Sequence, residues 1–460
     1  MTLLTINWSQ VGLQAGYLIF SLSILVILHE FGHYITAKWF KCRVEKFYLF
    51  FDPWFSLIKK KIGETEYGVG WLPLGGYVKI SGMVDESMDK EQMKQPAQPW
   101  EFRSKPAWQR LIIMLGGVTM NVLFAFFLYA MILYKWGDTK LPMANVKNGI
   151  WITDSLISDI GLRNGDNIIA VNGDTIKYFN DLPAKIILGK QITFSRDGNV
   201  QTITLPENMI ERLVEKKGKR STMLLVPRIP VIVGSLEDSA STNAKRSGLK
   251  VFDRIVAIDS VPVLFFDQVA PVLNNKKGDS ISLTVMRNQQ PVLIRTLVDT
   301  AGKIGFFVMN EDQADSLGIL RQETKNYGFL ASFPAGVQKT GEKLQSYIQQ
   351  FKQILNPQTG AYKGLGGFKT MASIFPNTGW NWQAFWNITA FFSVILAFMN
   401  LLPIPALYGG HVLFTLIEMI SGRKPSDKFL EYAQIAGMVI LFALMLFANG
   451  NDWFGWGKGH

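Results

Sequence analysis

Cysteine and histidine are scarce in this 460-residue sequence. The single cysteine, Cys42, excludes an intrachain disulfide and a cysteine-rich metal site. Histidine occurs four times, at His29, His33, His411 and His460. A histidine-based metal site must therefore draw on very few residues, and the pair spaced four apart is the first candidate for chemistry.

Charged residues are sparse as well, whereas apolar residues are abundant. Charged side chains make up 18% of the chain and apolar ones 48%. The apolar residues collect in four blocks around a long polar middle, which indicates a membrane protein. The net charge is +11, but the basic residues form no single tract and many flank the apolar blocks. This distribution favours anchoring at a lipid bilayer over nucleic-acid binding, so no nucleic-acid partner is expected.

The four apolar blocks predict four transmembrane helices. They cover residue 11 to about residue 28, and about residues 108–134, 382–402 and 432–447. Basic residues after the first block and before the fourth place those ends in the cytoplasm. Both termini and the polar middle then lie on the opposite, outer side of the membrane. No small-x-small cleavage pattern follows Leu28, so we expect the first helix to be retained rather than cleaved as a signal peptide.

The second apolar block contains small and polar residues, namely Gly116, Gly117 and Asn121. Small residues permit close contact between helices, and the amide of Asn121 needs a partner inside a helix bundle. Simple packing and a role near a functional site are both compatible with this pattern.

Residues from about 47 to 80 are apolar but too interrupted for a helix. Gly68, Gly70, Gly75 and Gly76 punctuate this stretch, which predicts a β-hairpin or loop. Such backbone survives at membrane depth only when it is buried in protein or lines a cavity. We therefore expect a membrane-associated or re-entrant β-loop on the cytoplasmic side.

The polar middle contains an internal repeat. Residues 161–173 and 248–260 match at a constant offset of 87, with Phe252 and Ser260 as the departures in the second copy. A repeat of this length predicts two tandem small domains. The pattern G-L-x-x-G-D-x-I-x-x-V-N-G resembles PDZ domains, which are small β-barrels that bind peptide ends or strands.

The predicted fold class is a polytopic α-helical membrane protein with four transmembrane helices, a membrane-associated β-loop and two tandem extracytoplasmic PDZ β-barrels. Helical spacing of apolar residues between 337 and 355 predicts an amphipathic helix, either at the membrane surface or packed as an ordinary helix. The predicted domains are residues 1–135 with the first two transmembrane helices and the β-loop, 140–225 and 226–310 with the PDZ domains, 311–380 with the amphipathic region, and 381–460 with the last two transmembrane helices.

The stretch His29-Glu30-Phe31-Gly32-His33 ends the first apolar block. Positions i and i+4 share one face of a helix, so both imidazoles can reach one metal ion. A catalytic zinc takes about three protein ligands and keeps one position open for water. Glu30 is placed to accept a proton from such a water as the catalytic base. Ionisable residues at membrane depth mark function by default.

Three features together resemble the site-2 protease family of intramembrane zinc metalloproteases: the His29 to His33 motif, the tandem PDZ pattern, and Asn400-x-x-Pro403-x-Pro405-x-Leu407 in the third apolar block. The resemblance covers nearly the whole chain. It implies a zinc endopeptidase that cuts single-span membrane proteins after another protease has removed their outer part, with anti-sigma factors and remnant signal peptides among the substrates. It also implies that the loop around Gly68, Gly70, Gly75 and Gly76 presents the substrate as an extended strand, and that Asn400 contacts the substrate backbone.

The chain departs from this family at the expected third zinc ligand. The family motif ends Leu-Asp-Gly, and its aspartate binds zinc, whereas this chain has Leu407-Tyr408-Gly409. One interpretation is that Tyr408 coordinates the metal as a phenolate. The favoured one is that the third ligand is missing and the site is inactivated, by natural loss or by deliberate substitution. His411, three residues on, is either a substitute ligand or an ordinary residue of this loop.

Two functions therefore compete. The first is a membrane-embedded zinc endopeptidase, inactivated in this chain if Tyr408 cannot bind the metal. The second is a non-catalytic membrane-anchored receptor or scaffold, in which the PDZ pair binds peptide ends. Glu30 argues against the scaffold, because a scaffold needs no general base, and Tyr408 argues for it.

Overall fold

The computed structural model describes residues 7–83, 95–216, 223–237 and 242–457. His460 and residues 217–222 of the first predicted PDZ domain lie outside that description. The chain divides into two compact units. The first comprises residues up to 137, 326–357 and 361 onwards, and the second comprises residues 138–325 and 358–360.

The described helices and strands are as follows in chain order. The helices are α1 (Trp8–Trp39), α2 (Ala107–Trp136), α3 (Ser155–Asp159), α4 (Leu182–Leu188), α5 (Met209–Lys216), α6 (Asn243–Arg246), α7 (Val269–Asn274), α8 (Glu311–Ser316), α9 (Phe329–Leu355), α10 (Phe368–Ser373), α11 (Trp382–Leu401), α12 (Tyr408–Ser421) and α13 (Asp427–Phe454). The strands are β1 (Val44–Ile62), β2 (Thr65–Ile80), β3 (Asp138–Lys140), β4 (Ile150–Ile152), β5 (Asn167–Val171), β6 (Asp174–Thr175), β7 (Gln191–Arg196), β8 (Asn199–Thr204), β9 (Leu225–Pro227), β10 (Val233–Leu236), β11 (Arg254–Ile258), β12 (Val261–Pro262), β13 (Ser280–Arg287), β14 (Gln290–Leu297), β15 (Phe306–Val308) and β16 (Glu323–Lys325).

Four of the described helices, α1, α2, α11 and α13, are long and apolar enough to cross a membrane. They fall on the four predicted apolar blocks, and α1, α2 and α13 extend beyond them whereas α11 does not. The prediction of a polytopic helical membrane protein is confirmed.

Helices α1 and α2 approach each other through two glycines. A Cβ atom built on Gly32 would lie 2.2 Å from the carbonyl oxygen of Gly116, and one on Gly116 would lie 2.5 Å from the carbonyl oxygen of Gly32. Only glycine at both positions permits this backbone contact, which is the small-residue packing common in membranes. The crossing brings the histidine pair of α1 against α2.

Strands β1 and β2 form a two-stranded antiparallel hairpin over the stretch expected to be a β-loop. Its pairing runs from Val44 opposite Ile80 to Ile62 opposite Thr65, with several register shifts in between. Phe50 and Trp54 adopt positive φ angles, which bulges allow. Near the bulges, burial and a hydrogen bond to Asp52 raise the pKa of the Tyr77 phenol.

The stretch from 311 to 380 does not form one region. Helix α8 and strand β16 belong to the second unit, whereas α9 belongs to the first. The buried residues of α9 are Ser332, Gly336 and Thr340. A Cβ atom on Gly336 would lie 2.6 Å from the backbone nitrogen of Ala130 in α2, so α9 packs against α2 through small residues.

The second unit contains two four-stranded sheets of equivalent strand order, β6-β5-β7-β8 and β12-β11-β13-β14. The described strands form small open sheets, so the prediction of β-barrels is wrong. The reason lies in the short strands β4, β9, β10 and β15, which have three or four residues each. They pair among themselves, β4 with β9 and β10 with β15, and therefore do not close either larger sheet.

Each repeat contains the same buried ion pair. The carboxylate of Asp166 accepts bonds from Arg196 Nε at 2.8 Å, from the second Arg196 guanidinium nitrogen at 2.7 Å and from the backbone N–H of Arg163 at 2.7 Å. Asp253 accepts equivalent bonds from Arg287 at 2.8 and 2.6 Å and from the backbone N–H of residue 250 at 2.8 Å. The two aspartates occupy corresponding positions of the sequence repeat, and the two arginines end the equivalent strands β7 and β13.

The glycine- and proline-rich stretch after α11 is shorter than the sequence indicates. It ends at Leu407, because α12 begins at Tyr408 and runs through Gly409, Gly410 and His411. A Cβ atom on Gly409 would lie 2.2 Å from the carbonyl oxygen of Leu402. The two glycines thus let α12 fold back tightly on the preceding loop.

Candidate metal centre

The centre is built on one face of α1. His29, Glu30 and His33 are buried, with exposures of 5%, 6% and 1%. The Nε2 atoms of the two histidines are 3.3 Å apart. Two imidazoles bound tetrahedrally to one zinc at about 2.0–2.1 Å place their nitrogens about 3.3–3.4 Å apart. The spacing of this pair therefore fits one zinc ion.

Helix α2 packs directly against the two histidines at Gly117. A Cβ atom on Gly117 would lie 2.3 Å from His33 Nε2 and 2.8 Å from His29 Nε2. In a helix the Cα–Cβ bond tilts toward the N-terminus, so a side chain at position 117 would also cover the carbonyl of Ile113. The missing side chain leaves that carbonyl open, and His33 Nδ1 lies 2.8 Å from it.

His29 is held on its far edge by Asn121, also from α2. The amide nitrogen of Asn121 lies 3.0 Å from His29 Nδ1. Asn121 is fully buried, and its backbone oxygen accepts a bond from Ser393 Oγ of α11 at 2.8 Å. Both histidines thus have a hydrogen-bond partner on α2, as metal-binding histidines usually do.

Tyr408 lies directly beside the histidine pair. Its ring stacks on His33 with centroids 4.0 Å apart and planes at 26°, and it meets His29 at 5.5 Å and 55°. The structure therefore brings His29, Glu30, His33 and Tyr408 together. Within the described ranges, no group of three or more His, Cys, Asp and Glu residues could hold a metal ion. The two imidazoles fit zinc, but the group at the third position is a phenol.

The predicted substrate-binding residues lie in three places. A Cβ atom on Gly76 would lie 2.6 Å from Val26 Cγ1 and 3.5 Å from Glu30 Cγ, so β2 passes next to the candidate base. Gly68, Gly70 and Gly75 instead lie against Tyr48 and Phe51 of β1. Asn400 is buried in the last turn of α11.

His411 lies elsewhere on α12. It lines a cavity of about 60 Å³ with Arg110, Met114 and Glu418, among other residues. Arg110 forms a half-buried ion pair with Glu418 at 2.5 Å that joins α2 to α12. His29, His33 and Tyr408 do not line that cavity. The structure gives no support to His411 as a substitute ligand.

The sequence left Gly117 open between simple packing and a role near a functional site, and it did not identify Ile113 as part of the centre. The role of a backbone carbonyl cannot be read from a sequence. The Gly116-Gly117 pair, together with Gly32 of the motif, did indicate where the two helices could come into close contact. Asn121 was recognised as needing a partner inside the bundle, and that partner is His29.

Comparison with known proteins agrees with this geometry. The model of Peptidase family M50 matches residues 17–444. A Vibrio cholerae protein named "Putative zinc metalloprotease" is 28% identical over 94% of this chain and 97% of its own length. The regulator of sigma-E protease RseP of Escherichia coli is 26% identical over 94% of this chain and 97% of its own length. The chain belongs to peptidase family M50, the site-2 protease family of membrane metalloproteases.

Proposed function

We propose that this chain is an intramembrane zinc endopeptidase of regulated proteolysis whose activity is suppressed by Tyr408. Its substrates would be single-span membrane proteins that another protease has already trimmed, such as anti-sigma factors and remnant signal peptides. It would reside in the bacterial inner membrane, with the centre near the cytoplasmic side and with both termini and the repeat domains in the periplasm.

The 3.3 Å spacing of the two Nε2 atoms carries the proposal. His29 and His33 would hold zinc, which supplies a Lewis acid and lowers the pKa of a bound water. Glu30, adjacent in sequence to His29 and buried beside β2, would accept a proton on its carboxylate. Tyr408 stands where the family resemblance expects a carboxylate, so the metal would lack its third anionic ligand.

The surroundings of Glu30 support a place for substrate. Gly76 passes next to Glu30, and the absence of a side chain there keeps strand β2 close to α1. An extended substrate segment added along this hairpin would run past the base. Asn400 would bind the substrate backbone. Gly68, Gly70 and Gly75 would keep β2 close against β1, so that the hairpin presents the substrate as an extended strand.

The test is to replace Tyr408 with aspartate. The purified chain and its Tyr408→Asp variant are compared for zinc content and for cleavage of a single-span substrate in detergent or liposomes. We expect little or no cleavage by the native chain, and zinc near one per chain with cleavage in the variant. Adding Glu30→Gln to the variant should lower cleavage about 10²–10⁴-fold while zinc stays bound. A folded, zinc-loaded variant that cuts nothing would refute the protease proposal.

A non-catalytic scaffold is the second candidate, and the phenol at the third ligand position favours it. In that case the chain would bind peptide ends through its repeat domains, and Tyr408→Asp would leave its activity unchanged. Cleavage by the Tyr408→Asp variant separates the two, because it is expected of a protease suppressed by Tyr408 and not of a scaffold.

We also propose that the two repeat domains bind peptide ends, as PDZ domains do, and exclude substrates that carry a large outer domain. The equivalent sheet orders and the matched Asp–Arg pairs support two related modules. Asp138 pairs with Lys325 in the β3–β16 sheet, so a short linker from Gly137 to Asn326 can replace the unit. In the Tyr408→Asp background, this deletion should permit cleavage of untrimmed substrates. Unchanged selectivity would contradict the filter.

A further inference from the structure

The β1–β2 hairpin has a second edge that the metal centre does not use. Both strands bend at the bulges, so four segments lie side by side in the order 56–62, 65–70, 44–51 and 72–80. The segment 72–80 is the edge that passes Glu30. The segment 56–62 is the opposite edge, and among the described residues it pairs on its inner side only.

Contacts with α1 show how deep each part of the hairpin lies. Gly76 approaches Val26, and Glu64 in the turn after β1 faces Lys38 at 4.0 Å. Lys38 lies in the last turn of α1. Val26 precedes it by about 18 Å along the helix, at a rise of 1.5 Å per residue. The hairpin therefore runs beside α1 from its last turn to its middle.

The tip of the hairpin, the bend at residues 51–56, lies beside the middle of α1 and exposes apolar side chains. Trp54 is 91% exposed and Ile58 is 70% exposed. Trp71 stacks on Trp54 and Phe55 with ring centroids 6.2 and 5.8 Å apart, so the aromatic rings form one surface. A contiguous exposed apolar surface at the depth of a membrane-spanning helix is suited to contact with lipid chains.

Three consecutive lysines follow the tip on the same edge segment. Lys59, Lys60 and Lys61 are all exposed. Lys60 pairs opposite Tyr67, whose Oη atom lies 2.7 Å from Tyr34 Oη. Tyr34 lies roughly 8 Å before the end of α1, at 1.5 Å per residue. The lysines therefore lie near the end of the helix, where lipid headgroups begin, and not at the depth of the tip.

The charge of these lysines is not balanced by the neighbouring carboxylates. Glu64 pairs with Lys38, and Glu66 accepts a hydrogen bond from the hydroxyl of Tyr48 at 2.7 Å. No ion pair of Lys59–Lys61 is found with the residues that the structure describes. Three positive charges thus point away from the hairpin edge at headgroup depth.

We infer that the hairpin binds an anionic phospholipid at Lys59–Lys61, whose ammonium groups contact the headgroup phosphate while the tip contacts the acyl chains. Lysines at this depth extend toward phosphates, and exposed aromatic rings contact hydrocarbon. A zwitterionic lipid also has a phosphate, but its own cation cancels the charge, so three lysines favour a lipid with net negative charge. The inference goes beyond the proposed function and requires neither zinc nor an aspartate at Tyr408.

Protection of the lysines from acylation tests the contact at the level of single residues. The full-length chain is placed in nanodiscs of phosphatidylcholine alone or mixed equally with phosphatidylglycerol. It is labelled with a water-soluble amine reagent and read by mass spectrometry. Each lysine near an anionic surface contributes about a factor of five to binding. Labelling of Lys59–Lys61 should therefore slow at least about fivefold with phosphatidylglycerol relative to Lys41, which is exposed just beyond α1 and reports the general effect of surface charge.

Lipid affinity tests the three lysines as a group. Binding of phosphatidylglycerol to the full-length chain in detergent is measured by native mass spectrometry. Lys59→Gln, Lys60→Gln and Lys61→Gln together should weaken it at least about tenfold, whereas Lys→Arg changes at the same positions should retain it. The matched control makes three Lys→Gln changes at exposed positions of the second unit, namely Lys147, Lys190 and Lys250. It removes the same charge and should leave the affinity unchanged.

Four results would overturn the assignment. They are equal labelling with and without phosphatidylglycerol, equal phosphatidylglycerol affinity of the triple glutamine variant and its parent, phosphatidylcholine that binds as tightly as phosphatidylglycerol, and protection by inorganic phosphate in phosphatidylcholine nanodiscs. The last result would indicate a site for a soluble anion. Failure of the protease proposal is distinct, because neither measurement depends on zinc or on cleavage.

Discussion

The buried ion pair of each repeat allows a quantitative prediction. The side chain of Asp166 is 1% exposed and that of Arg196 19%, and three bonds of 2.7–2.8 Å converge on the carboxylate. Asp166→Asn keeps the shape but removes the charge, so Arg196 loses its paired carboxylate and keeps only its bond to the carbonyl oxygen of Gly161. Breaking a buried pair in this way costs about 3–5 kcal/mol. At about 1.4 kcal/mol per factor of ten, local opening of the first repeat should become roughly 10²- to 10³·⁵-fold more frequent.

Hydrogen exchange followed by mass spectrometry of the intact chain measures this effect. Peptides covering β5 and β7 should exchange faster in Asp166→Asn, while those covering β11 and β13 serve as the internal reference. Asp253→Asn should reverse the pattern. Lys276→Gln is the control, because its pair with Asp259 is 3.5 Å long and 45% and 34% exposed, and such pairs contribute about 0–1 kcal/mol. A change of less than tenfold in the first repeat would refute the reasoning.

Two other experiments test the packing in and next to α1. Gly117→Ala should reduce the zinc affinity of the Tyr408→Asp protein at least about tenfold, because the added Cβ would lie 2.3 Å from a ligating nitrogen. Gly12→Ala is the control and should have no effect, because the space around Gly12 is open. Equal zinc affinities of the two variants would contradict the close contact. Cys42 is 2% exposed, and burial raises the pKa of its thiol against the opposing charge of Lys105. A raised pKa lowers the thiolate fraction at any pH below it, so alkylation of Cys42 at pH 8 should be slow in the folded chain and fast after denaturation. Rapid labelling of the folded protein would contradict a buried thiol with a raised pKa.

The membrane helices and the histidine pair could be predicted because each rests on a local pattern. Eighteen or more apolar residues make a span whatever surrounds them, and His29 and His33 share a face by helical geometry alone. The contacts of Gly76 with Val26 and Glu30 could not be predicted, because they depend on how a bulged hairpin meets a helix that is close in the structure but distant in the sequence.

Two sequence-based predictions, the extent of the loop before α12 and the β-barrels, were wrong because both outcomes depend on contacts with other segments of the chain. Gly409 and Gly410 read as helix breakers by propensity, yet they begin α12, because their lack of side chains permits contact with Leu402 and Pro405. The barrels were expected from the resemblance of residues 161–173 and 248–260 to PDZ domains, and these residues contain β5 and β11 but specify nothing about closure of the sheet. Whether short strands join a larger sheet depends on pairings between distant segments, which a sequence motif does not encode.

The start of α12 at Tyr408 has an electrostatic consequence. The N-terminus of a helix carries a partial positive charge of roughly half an elementary unit, and the first turn of this 14-residue helix contains no acidic residue. That positive end lies where the ring of Tyr408 meets both histidines, and it opposes the approach of a divalent cation. An aspartate at the first helical position would neutralise this field as well as ligate the metal. Tyrosine therefore removes two contributions at once, one from coordination and one from the helix dipole.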